Sequence, residues 1–189
     1  MTSAIVAERS VSSAGTGGFA EVFAAHHREA LRLAYLLTGD PHRAEDVVSD
    51  AFVKVYRAWT RGGVGQPRAY IKRAVVNESN SRFRRLALER REAARRSGDA
   101  RGARAHDDQL VDSEALLAAL QLLPARQRTA VVLRYYSDIT EAQAAAAMGV
   151  SVGTVKSSVS RGLDRLRALV DDRDDRDDRE DRDRQGGGR

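Results

Sequence analysis

The sequence predicts an all-α protein of two small helical modules joined by a flexible linker, and three observations carry that reading. Apolar residues recur at three- and four-residue spacing over long stretches, as on one face of a helix. Aromatics are only 5% of the 189 residues against 42% hydrophobic residues overall, so the cores must be built from Ala, Leu and Val, with alternating β-branched runs scarce. The periodicity also lapses between residues 87 and 112, which divides the chain in two.

Residues 1–18 are small and polar and are expected to be disordered. Phe19, Val22, Phe23, Ala30, Leu33, Ala34 and Leu37 mark a first helix that stops at Thr38-Gly39. Asp40 and Pro41 supply an N-cap and a first-turn proline for a second. Its apolar stripe is Ala44, Val47, Val48, Ala51, Phe52, Val55 and Trp59. The glycines from Gly62 to Gly65 break the pattern, and a third helix starts near Pro67. The first module thus spans 19–86, and 87–112 reads as linker.

The second module spans 113–170. SEALLAALQLL forms one helix and Pro124 opens another. Thr140 and Gln143 have the spacing of a capping box for a third, and Ser151 can cap a fourth. Residues 171–189 hold nine acids, six arginines and no core-forming residue, so a solvated, disordered tail is expected there.

The net charge of +5 points to a polyanionic partner, most often nucleic acid. The charge is localised: from Arg68 to Arg104 there are twelve Lys/Arg and four acids. Cysteine is absent, which excludes disulfides and thiolate zinc sites and fits a cytoplasmic protein. No apolar run approaches the roughly 20 residues that span a bilayer, so no membrane insertion is expected. The N-terminus lacks the long apolar stretch of a secretory signal.

An enzyme is not supported. No nucleophile–base pair stands out, and the glycine-rich GTGGFAEVF and RGGVGQP follow no strand and match no phosphate loop. His42, Glu45 and Asp46 could share a helix face, but charges at a helix start account for them. No metal or cofactor is expected.

Helix 140–148, a turn at Gly149 and helix 152–169 form the pattern of a helix-turn-helix, whose second helix enters the DNA major groove. Val152, Val155, Val159, Leu163, Leu166 and Val170 are expected to face inward. Gly153, Thr154, Lys156, Ser157, Ser160 and Arg161 make the opposite face small, hydroxyl-rich and basic, suited to close approach and to phosphate or guanine contacts.

Three motifs in order add a resemblance: LTGD…AEDVV…AF, LP…QR…LRYY and SVGTVKS…SR. The chain resembles the bacterial RNA polymerase sigma factors of the small extracytoplasmic-function class. Residues 19–86 resemble sigma region 2 and residues 113–170 resemble region 4. The resemblance implies a promoter-directing initiation factor. Its second helix would dock on the clamp of the largest subunit of core RNA polymerase through Asp46, Val47, Ser49, Asp50 and Phe52. The third helix would hold the opened −10 strand through Arg73, Asn77, Asn80, Arg82, Arg84 and Arg85. The fourth helix of region 4 would read −35 promoter DNA through Thr154, Lys156, Ser157, Ser160 and Arg161. The module carrying it would also meet the flap of the second-largest subunit, and an anti-sigma factor is a further candidate partner. Ala144 stands where relatives carry a larger aliphatic residue, so looser packing of its helix is expected. A conventional regulator with the same motif is the alternative, and it would bind duplex DNA without polymerase.

Overall fold

The computed structural model describes residues 17–97 and 113–186, and among them there are helices and no strand. Most of the expected linker and the first 16 residues of the chain lie outside the described residues. The first module is three helices: α1 (Gly17–Thr38), α2 (Pro41–Trp59) and α3 (Pro67–Ser97). The second has α4 (Ser113–Leu122), α5 (Ala125–Val131) continuing as a π-helical turn (Val132–Tyr136), α6 (Glu141–Met148) and α7 (Val152–Gly186).

Local chemistry sets the boundaries. The Asp40 carboxylate accepts a hydrogen bond from the Arg43 amide at 2.8 Å, capping α2, with Pro41 in its first turn. The Thr140–Gln143 capping box is complete: Thr140 N donates to Gln143 Oε1 at 2.8 Å, and Gln143 N donates to Thr140 Oγ1 at 3.2 Å. Gly149 ends α6 at φ 65°, a left-handed conformation that costs glycine little. The Thr154 amide donates to Ser151 Oγ at 3.2 Å at the start of α7.

Two helices outrun the sequence expectation. α3 continues to Ser97, into the stretch read as linker, and α7 continues to Gly186, through most of the stretch read as disordered. The tail sequence has a helical logic of its own. Asp172, Asp175, Asp178 and Glu180 each precede an arginine by four residues, the acid-first order that supports helices without a core.

The larger finding is that the two modules pack together. A single apolar cluster contains Leu33, Leu37, Val47 and Val75 of the first and Leu123, Val132, Leu133 and Val155 of the second. Arg128 of α5 is buried at the seam. Its guanidinium donates to Leu37 O at 2.5 Å, Leu123 O at 3.2 Å and Gln121 O at 3.3 Å, and also to Gln121 Oε1. It lies 5.3 Å from the centroid of the Phe83 ring of α3. Gln121 Nε2 donates to Leu36 O at 3.1 Å. Leu36, Leu37 and Gln121 stand in the last turns of α1 and α4, where carbonyls lack helical partners and the dipole is negative. Two helix ends thus stand in for a carboxylate partner. Burial pushes the Arg128 guanidinium down to about 10, so it stays charged at neutral pH.

A second tie crosses the seam from the other side. Lys72 of α3 is buried and donates to Ser137 O, just past the π turn, at 3.1 Å. It also lies 3.1 Å from Glu29 of α1, which Arg68 binds at 2.9 Å. The Arg68 hydrogen bond, and then Lys72, hold the Glu29 carboxyl below its ordinary 4.5 against the opposing cost of burial. The small side chains of α6 do not loosen it. Ala144 is fully buried, and the backbones of α6 and α3 approach within 8 Å.

Replacing Arg128 with methionine should cost about 3 kcal/mol, since several buried carbonyls lose their donor; urea unfolding of the full chain measures it. Glu29 binds its proton more weakly in the folded protein than in the unfolded one. Its contribution is therefore complete above pH 4.5 and is lost as pH falls through the lower folded value. Glu29→Gln should flatten the fall in stability below pH 4.5 in unfolding curves collected across pH.

Candidate nucleic-acid interface

α3 presents different chemistry on different sides. Asn77, Asn80 and Arg84 follow Arg73 by four, seven and eleven residues, which on a helix falls within about 60° of one line. Arg73, Asn77 and Arg84 are exposed and Asn80 is half-buried. This stripe offers two amide side chains able to pair with base edges, flanked by two cations for backbone or stacking. Arg85 is exposed beside it.

Arg82 is different. It lies nine residues after Arg73, about 180° around the helix, and turns toward α2. Its Nη1 donates to Asp46 Oδ2 at 2.9 Å and its Nη2 to Asp50 Oδ2 at 2.7 Å. These bonds, that to Asp50 foremost, raise its pKa further. The structure thus joins an expected DNA contact to two expected polymerase contacts. One turn on, Lys54 of α2 pairs with Glu78 of α3.

On α2, Asp46, Ser49 and Asp50 are exposed, but Val47 and Phe52 are not. Val47 is fully buried and Phe52 is 5% exposed, with its ring 4.8 Å from Phe23 and 6.4 Å from Phe19. Both are core residues, because the α2 stripe that packs on α1 includes them. The apolar surface beside the acids comes instead from Val53, Tyr56 and Phe23.

Sequence reasoning also missed a basic hollow of about 400 Å³ at the far end of α2, lined by Lys54, Arg57, Ala58, Arg61, Gly63 and Tyr70. The spacing of Lys54, Arg57 and Arg61, three and then four residues apart, was the available signal.

In the second module, Lys156, Ser160 and Arg161 are exposed on α7, and Thr154 and Ser157 are half-buried. Ser151 Oγ and Thr154 Oγ1 are 2.9 Å apart, Ser157 Oγ donates to Thr154 O at 3.1 Å, and Lys156 lies 3.5 Å from Glu141 of α6. These contacts fix the hydroxyls and the cation in the first turns of the helix. Val152, expected inward, is 40% exposed on this surface. Ser158 and Gly162 take inward places instead. A Cβ on Gly162 would sit 2.7 Å from Val131 Cγ2, so glycine here lets α5 and α7 approach closely. Among the described residues no group of His, Asp or Glu could hold a metal, and no helix is long and apolar enough to cross a membrane.

Comparison with known proteins follows the same division. Residues 22–89 match the family model of sigma-70 region 2, and residues 113–166 match that of sigma-70 region 4. The chain is 34% identical over 146 residues to an RNA polymerase sigma-E factor of Streptomyces avermitilis, covering 76% of this chain and 79% of that protein. It is 31% identical over 158 residues to the extracytoplasmic-function (ECF) sigma factor SigM of Mycobacterium tuberculosis, covering 80% and 76%. Among solved structures, the sigma factor RpoE in complex with the anti-sigma factor NepR from Bartonella quintana is similar at TM-score 0.67 and 27% identity, covering 82% of this chain and 97% of that one. CnrH in complex with the cytosolic domain of CnrY follows at TM-score 0.56 and 26% identity, covering 81% and 87%. The chain belongs to the ECF sigma factors of bacterial RNA polymerase, within the sigma-70 family.

Gly162→Val should destabilise the second module by about 2 kcal/mol through overpacking against Val131. Gly153→Ala should leave the melting temperature nearly unchanged, because the nearest atom to its new Cβ is 3.9 Å away. Thermal unfolding followed by circular dichroism separates the two.

Proposed function

We propose that this sigma factor is a dissociable initiation subunit that docks on core polymerase, binds the −10 and −35 elements and supports strand opening, with no catalysis of its own. The observation that carries the reading is the placement of two DNA-suited faces on separate modules. They are the α3 stripe, with Arg73, Asn77 and Arg84 exposed and Asn80 half-buried, and the start of α7, with Lys156, Ser160 and Arg161 exposed. The acidic outer face of α2, with Val53 and Tyr56 beside it, suits a basic partner surface with an apolar anchor, as the clamp would present. The second module would meet the polymerase flap.

Elements centred 25 base pairs apart lie about 85 Å apart along B-form DNA. In the packed form α3 and α6 approach within 8 Å. The two modules must therefore separate in the promoter complex, with the chain between Ser97 and Ser113 as the tether. The packed form is the form of the free protein, found in the cytoplasm. RpoE and CnrH were each solved with a protein partner, and an anti-sigma factor acting on this chain is proposed by that likeness.

Run-off transcription with purified bacterial core polymerase and a genomic promoter library tests the reading. Start sites should appear only when both proteins are present. Arg73→Ala with Asn77→Ala should reduce opening at least tenfold while core binding holds. Duplex binding by the chain alone, without a polymerase complex, would make it a conventional regulator.

A further inference from the structure

Arg82 is the one basic residue of the expected DNA-binding set that faces away from the DNA stripe. Its planar fork spans two carboxylates one helical turn apart, at 2.9 and 2.7 Å. Both bonds use Oδ2, while the Asp46 and Asp50 side chains remain 64% and 52% exposed. Each carboxylate therefore still presents exposed surface to a second donor. Arg82 itself is only 29% exposed, less than either carboxylate it binds.

We propose that Arg82 is a positioning residue of the polymerase-docking face: it pins Asp46 and Asp50 in register so that a partner's basic side chains meet two carboxylates already held in place. This rests on the reading of α2 as the docking helix. The physical gain is pre-organisation. An unpinned carboxylate must lose rotamer freedom on docking, whereas a pinned one has lost it on folding. The fork geometry is essential, since a lysine ammonium carries the same charge but cannot hold two carboxylates in one plane. The ion pairs are partly exposed and add little to stability, so their effect should appear in docking.

The test measures association and dissociation of full-length protein with purified core polymerase for wild type, Arg82→Lys and Arg84→Ala, alongside melting temperature and promoter opening at saturating holoenzyme. For Arg82→Lys the expected result is dissociation about fivefold faster, from the ordering of two side chains. Association, melting temperature and opening should stay near wild type. Arg84→Ala should retain core affinity and lose opening. If Arg82→Lys instead dissociates like wild type, or loses opening with core affinity intact, the proposal fails. If its faster dissociation comes with a matching loss of melting temperature, the role is structural and the proposal also fails. If wild type itself does not bind core, the reading of the docking helix falls first, and that outcome is distinct from the others.

Discussion

A buried guanidinium with no carboxylate partner among the described residues governs this molecule. Arg128 is held by the carbonyl ends of α1 and α4, and its charge is balanced by helix dipoles and by the face of Phe83. Because α1 belongs to the first module and α4 to the second, satisfying this one side chain fixes how the modules meet. The contact of α6 with α3, the Lys72 bond to Ser137 O and the shared apolar cluster all lie along the same seam.

Separation of the modules on promoter DNA, as proposed above, would break the Arg128 bond to Leu37 O and the Lys72 bond to Ser137 O. Both DNA-suited faces lie outside the seam, so closure constrains the distance between them without covering them.

α3 connects these functions. One line of the helix carries Arg73, Asn77, Asn80 and Arg84 outward. Another, from Lys72 to Phe83, meets the second module, with buried Val76 and Ser79 between them. A third carries Ile71, Val75, Glu78 and Arg82 toward the rest of the first module. A helix that serves three surfaces has no single apolar stripe, which is why its sequence looks weakly amphipathic.

The sequence alone determined the helices and most of their ends, because caps and periodicity are local: Asp40-Pro41, the Thr140–Gln143 box and Gly149 act within a few residues. It also determined that amide and basic side chains recur along α3 and hydroxyl and basic ones at the start of α7, but not which of them share a face, since Arg82 stood among them. Tertiary structure alone decided which charges are spent internally. Arg82, Lys72 and Arg128 have partners 32 or more residues away, or across the seam, and no local pattern separates them from solvated neighbours. It likewise decided that Val47 and Phe52 belong to the core while Val53 faces out, and that Ser158 and Gly162 face in while Val152 does not. Burial depends on which helix arrives against which face, and that is a property of the assembled chain.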